Sequence, residues 1–181
     1  MKKLIVLFTI NSLVMSGSVF SQNLYRTING TMQATVIYND TPLVFSSNEL
    51  LIFLDYESAD FIMKMDKSTF KTGNDSIDNS LQFKRFDIIE FKGKLGLDYI
   101  NTKGHPPLDF ELEGKISTKE ESVIYGKGKL EHMMEGSIYS CLLSMSFYVK
   151  LSDIGLLPED ENVKDEIQVE IIQTVLNRET D

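Results

Sequence analysis

From residue 139 to 151 every second position is apolar (Tyr139, Cys141, Leu143, Met145, Phe147, Val149, Leu151). Ser140, Leu142, Ser144, Ser146, Tyr148 and Lys150 fill the alternate places. Side chains on an extended backbone alternate between faces, so this two-residue period predicts a strand with one buried and one mainly wetted face. At a rise of ~3.3 Å per residue the run spans about 40 Å, longer than a usual strand, which predicts a bend or coil. Such a strand suits the wall of a barrel or of a strongly twisted sandwich.

The same period recurs along the chain. In residues 24–38, Ile28, Gly30, Met32, Ala34, Val36 and Tyr38 share one face, and Gly30 marks a bend or bulge. Asn39, Asp40, Thr41 and Pro42 make a turn. Residues 43–45 open a short strand that Ser46, Ser47 and Asn48 break. Residues 49–54 read as a strand covered on both faces, with a helical turn as the alternative. Ala59, Phe61, Met63 and Met65 then alternate with Asp60, Ile62 and Lys64, completing a hairpin. Residues 66–81 form a long polar loop with one short helical turn started by Asp75 or Ser76.

Residues 86–91 and 94–100 read as two strands about a glycine-containing turn, and residues 101–107 as a connector stiffened by Pro106 and Pro107. Leu108, Phe110, Leu112, Gly114 and Ile116 alternate cleanly with Asp109, Glu111, Glu113 and Lys115. A charged turn, a glycine-rich strand over 123–129 and an approach over 130–136 lead into the long strand, which residues 152–158 end before an acidic loop at 159–162. Residues 166–176 read as a strand from their β-branched content, although Ile171, Ile172, Val175 and Leu176 also fit one side of a helix. About eight to ten strands, at most short helical turns and no internal repeat predict an all-β chain, an antiparallel barrel or sandwich.

The N-terminus changes the picture of where the chain works. Lys2 and Lys3 precede an apolar stretch over residues 4–10, small residues at 16–18, and Val19, Phe20 and Ser21 before a cut ahead of Gln22. This predicts a signal peptide over residues 1–21, a single barrel domain over 22–181, and a periplasmic or secreted location. A retained membrane anchor is the alternative, but the apolar core falls short of the ~20 residues a span needs, so no transmembrane segment is expected after signal removal. No cysteine follows the cut to take a lipid anchor.

The net charge is −9 at pH 7, and losing Lys2 and Lys3 leaves the rest still more acidic. Such a chain repels phosphate, which argues against nucleic acid and against adsorption on anionic lipid. Lys84, Arg85, Lys92 and Lys94 are interleaved with Asp87 and Glu90. Cys141 is the single cysteine; in the apolar register it reads as a small buried hydrophobe.

Candidate chemistry is thin. His105 and His132 are the only two histidines, and neither sits in a metal-binding motif, so no metal or cofactor is expected. Glu131, His132, Met133, Met134 and Cys141 contain soft copper donors, but a turn and an apolar strand start account for them. Asp66, Asn74, Asp75 and Asp78 offer oxygens, with Gly73 misplaced for an EF-hand. Glu111 and Glu113 share one strand face, as paired catalytic acids can, yet alternating charge on a wetted face explains them. No nucleophile elbow or phosphate-binding loop appears, and no enzymatic activity is expected.

Residues 65–74, followed by Asp78 and Leu81, resemble the strand-exit segment of YceI-like proteins, in which an Ile-Asp, a Ser-Ile, a Thr-Gly, then an Asp and a Leu recur in that order. Residues 88–92 are similar to that family's strand ending Ile-x-Phe. Lys129, Leu130, Glu131 and His132 resemble its Leu-Thr-x-His-Gly turn, and residues 152–156 its Asp-Phe-Gly-Ile stretch. The family's Arg and His in Arg-Asp-x-His-Leu are missing at Ile77 and Ser80, Ile154 stands where Phe is usual, and Met133, Met134 and Glu135 replace the turn after the histidine.

The resemblance implies a lipocalin-like antiparallel barrel with an apolar internal tunnel, periplasmic or secreted, that binds an isoprenoid or other lipid-like molecule. A small barrel can fill its interior or hold one ligand. The expected cavity wall is Met32, Ala34, Val36, Phe61, Met63, Leu143, Met145, Phe147 and Val149. The rival expectation is an envelope-associated interaction or adhesion module with a filled core and no ligand. Oligomeric state is left open, a homodimer included.

Overall fold

A computed structural model describes residues 23–101, 104–117, 121–135, 138–157 and 163–179. Eight strands follow in chain order: β1 (Leu24–Tyr38), β2 (Thr41–Asp55), β3 (Asp60–Asp66), β4 (Ile88–Leu95), β5 (Leu108–Ser117), β6 (Glu121–Glu135), β7 (Ile138–Lys150) and β8 (Glu166–Arg178). A 3-10 turn (Lys67–Thr69) and helix α1 (Asp75–Gln82) join β3 to β4, and the one-turn helix α2 (Leu151–Ile154) follows β7. Each strand pairs antiparallel with the next, and β8 returns to pair with β1, closing the barrel. Closure gives every strand a neighbour on both sides, although β2 meets β3 only over residues 51–54 and adds a single bridge from Ser46 to Lys71.

The alternation predicted for β5 and β7 is the observed one. Phe110, Leu112, Gly114 and Ile116 face inward from β5, as do Cys141, Leu143, Met145, Phe147 and Val149 from β7. Strand β7 carries a register shift against β8 between Leu143 and Met145, the bend its length requires. Residues 166–176 are strand, not helix. The period ends one residue early at Leu151, which opens α2.

Three departures have local causes. In β1 the inward face switches, because register shifts flank Gly30: Tyr25 and Thr27 are buried before it, Met32, Ala34 and Val36 after it, and Ile28 is 71 % exposed. Ser46, Ser47 and Asn48 do not end a strand. They lie inside the fifteen-residue β2, opposite the shift that follows Gly30. The turn expected around Gly93 is absent, because β4 runs straight through it and residues 94–100 form no second strand.

Gly93 lies opposite Gly114 of β5. A Cβ on Gly114 would sit 2.5 Å from the Phe91 ring and 2.8 Å from the Gly93 Cα, so the pair leaves a slot in the wall that the ring occupies. The helical content is also larger than expected: α1 spans eight residues and is capped by the Asn74 side chain, which accepts from the Ser76 and Ile77 amides. The expected signal peptide and the whole acidic loop at 159–162 lie outside the described residues.

The barrel has two unlike ends. The Asn39–Asp40 hairpin turn, α1 and α2 lie at one, here the helical end. The start of β1, the end of β8 and the connector before β5 lie at the other.

Candidate functional site

Towards the helical end the inward faces leave a narrow apolar cavity, with room for the centre of a water-sized body over about 20 Å³. Met32 of β1, Leu50 of β2, Met63, Met65 and Lys64 of β3, Ile89 and Phe91 of β4, Ile116 of β5, Phe147 and Val149 of β7, Val169 of β8 and Ile154 of α2 line it. Of the nine expected wall residues, Met32, Met63, Phe147 and Val149 meet here. Ala34, Val36, Phe61, Leu143 and Met145 are buried in the barrel core but do not line this cavity.

Where the resemblance implies a tunnel, the described residues show this small space, and aromatic packing is the reason. Phe61 meets Phe91 edge-on with centroids 5.8 Å apart, and Phe91 stacks on Phe147 at 5.6 Å. Three rings from β3, β4 and β7 thus cross the interior beneath the cavity. Phe91, seated in the Gly93–Gly114 slot, is the central member and was not among the expected residues. The inward register of Ile89 and Phe91 was visible in the sequence, but the turn placed beside them hid it.

At the helical end the cover is fastened by two lysines. Lys84 donates from Nζ to the Gly155 carbonyl at 2.6 Å and to that of Leu156 at 3.2 Å, tying the residues after α1 to the end of α2. These carbonyls lie at a helix C-terminus, where a cation is favoured. Burial lowers the Lys84 pKa and nearby Lys67 lowers it further, against the raising effect of Asp87. Lys67 itself pairs with Asp87 at 2.8 Å.

The opposite end is closed by a polar and aromatic cluster. Tyr25 and Tyr56 stack at 3.9 Å, the Tyr56 and His105 rings are 6.1 Å apart, and His105 and His132 lie at 5.3 Å. His132 is the cross-strand partner of Cys141, whose thiol is buried against the Tyr56 hydroxyl. Burial pushes the Cys141 pKa up to about 12 and raises that of Tyr56 as well. Burial, then the neighbouring His105, lowers the His132 pKa.

The other chemical candidates are engaged in structural contacts. Among the described residues no three His, Cys, Asp or Glu side chains are grouped as metal ligands. Asp66 accepts from the Ser68 amide and hydroxyl, Asp78 from the Thr72 amide and hydroxyl, and Asn74 caps α1. Glu111 and Glu113 are exposed, and their cross-strand partners include Lys127 and Lys94. Among the described residues no helix is long and apolar enough to cross a membrane.

No protein-family model matches this sequence, and no curated protein matches it. Solved structures do. A polyisoprenoid binding domain from Saccharophagus degradans implicated in plant cell wall breakdown superposes with a TM-score of 0.64 at 7% identity, over 87% of this chain and 99% of that one. The fold is that of the YceI-like barrels. Burkholderia cenocepacia BcnA shares it, with a TM-score of 0.57 at 13% identity over 82% of this chain and 95% of that one. At such identities the likeness speaks for the YceI-like, lipocalin-type barrel itself and leaves residue roles to be argued from this chain.

Proposed function

We propose that this protein sequesters or carries an apolar, isoprenoid- or lipid-like molecule inside its YceI-like barrel, in the periplasm or outside the cell, and catalyses no reaction. The observation that carries the reading is the wall of the cavity, apolar but for Lys64 and holding three methionines, Met32, Met63 and Met65. An unbranched thioether side chain repacks at low cost around varied shapes, so a guest can enlarge a space that now holds little more than a water. The Saccharophagus degradans domain of the same fold is described as polyisoprenoid binding, which supports the same ligand class. The nine expected wall residues are proposed as contacts, Met32, Met63, Phe147 and Val149 first. Export rests on the N-terminal pattern and is tested by whether the protein recovered from its host begins at Gln22.

One observation favours the second reading, an envelope interaction module with a filled core: the Phe61–Phe91–Phe147 stack leaves little room. Native mass spectrometry and organic extraction of protein purified from its own host separate the two. A stoichiometric apolar molecule released by solvent is expected for the carrier. Repeated recovery of protein with nothing bound overturns it in favour of the interaction module.

A further inference from the structure

The turn between α1 and β4 presents two aromatic side chains to solvent, Phe83 at 91% exposure and Phe86 at 78%. Its backbone is held in an unusual shape. The Asp87 amide donates to the Lys84 carbonyl at 3.0 Å, so Lys84, Arg85, Phe86 and Asp87 form one tight turn with Phe86 third, at a φ of 67°. Glycine or asparagine ordinarily takes a positive φ at that position, and a bulky residue there is an outlier. Burial of the ring does not compensate, since the ring points outward. The Asp66 carboxylate accepts the Phe86 amide at 3.0 Å, and the Arg85 guanidinium lies 5.1 Å from the centre of the Phe86 ring. Strained backbone that surrounding bonds hold in place, with nothing gained in the core, marks a segment used by something outside the molecule.

Location and charge say what that is. The turn sits at the helical end, beside the cover under which the cavity lies, and just before Ile88 at the start of β4. The chain carries a net charge of −9, which repels anionic lipid as a whole, so contact with such a surface needs a local patch of the other sign. Arg85 supplies it between the two rings, backed by the charge of Lys84, whose amine is bonded to the Gly155 and Leu156 carbonyls, while Asp87 is paired with Lys67. Aromatic rings flanked by cations are the side chains that settle at a bilayer interface, rings among the acyl boundary and cations among the headgroup phosphates.

We infer that the Phe83–Phe86 turn is a docking prong that seats the helical end of the barrel on an anionic phospholipid bilayer. The inference holds whether or not the interior takes a guest, and it is tested without one. The chain contains no tryptophan, so a Phe83→Trp variant of the protein purified from its host carries a single reporter. Its emission is expected to shift to the blue on vesicles of phosphatidylcholine with phosphatidylglycerol, and less on phosphatidylcholine alone.

In co-sedimentation, the F83S/F86S double variant is expected to lose on the order of tenfold in partitioning per ring, whereas Ile28→Ser, which removes an exposed apolar residue on β1 at the opposite end, leaves it unchanged. Failure of the native protein to bind, or equal binding by the double variant, overturns the inference. A blue shift that grows with protein concentration in the absence of vesicles also overturns it, because a second copy then covers the prong.

Discussion

The thiol of Cys141 has no route to water, and its burial against Tyr56 makes its ionisation a stability question. An unfolded thiol loses its proton near pH ~8.5, while the folded one keeps it up to about pH 12. Between those values the folded chain binds more protons than the unfolded one, so stability falls as pH rises, by up to about 1.4 kcal/mol per pH unit. Below that window the group contributes no slope. Urea midpoints measured across it are expected to decline in the native protein and to decline less steeply in Cys141→Ala; the raised pKa of Tyr56 adds its own slope above about pH 10 in both. Lys84 acts at the other end of the barrel. Lys84→Met keeps the bulk of the stem but removes both bonds to the Gly155 and Leu156 carbonyls. A loss of about 1–2 kcal/mol is expected, since the bonds are only part-buried and bonds to a charged group are worth little more than that net. Hydrogen exchange is expected to quicken at the amides of α1 and α2 while those of β5 to β7 stay protected.

At the scale of elements, the wall of β4 and β5 depends on two glycines that face each other. A methyl at Gly114 would stand 2.5 Å from Phe91, 2.6 Å from the Lys92 carbonyl and 2.8 Å from the Gly93 Cα, and two of those three neighbours are backbone. Gly114→Ala is therefore expected to cost about 1–3 kcal/mol as overpacking. Near-UV circular dichroism is expected to change with it, because Phe91 has to leave the slot. This glycine pair also explains what the chain's pattern could and could not disclose. Alternation identified β1, β5 and β7, because each has long apolar and polar sets that differ. It misplaced a turn at Gly93 and a break at Ser46–Asn48, since a glycine that admits a neighbouring ring and polar residues beside a bulge have the same composition as chain breakers. The candidate site was half legible for a related reason. A two-residue period says which face a side chain takes but not how high it stands along the barrel axis. Ala34 and Leu143 were thus assigned the correct face outside the cavity. Leu50 and Val169, in stretches whose helix alternative stayed open, became cavity residues only once the register between strands was known.

For the whole molecule the open issue is whether the interior is a core that happens to be loose or a container that happens to be closed. Both are packed from the same residues, so total stability does not separate them, but the methionines do. Replacing Met32, Met63 and Met65 together by leucine nearly conserves volume, and swaps of this kind cost less than about 1.5 kcal/mol each when they serve packing alone. A branched leucine cannot bend around a guest as a thioether does. If the barrel is a carrier, the triple variant is expected to fold with an unchanged circular dichroism spectrum yet to retain less apolar molecule when extracted from its own host. Native protein stripped of its guest by solvent is expected to unfold at lower urea than protein as purified, since saturation at about a hundredfold excess over Kd adds about 2.7 kcal/mol. A filled core gives the opposite pair of results: the extract is empty for both proteins, and stripping leaves the midpoint where it was. The two measurements fail independently of vesicle docking, so a barrel that docks but holds nothing remains distinguishable from one that holds a guest and never meets a membrane.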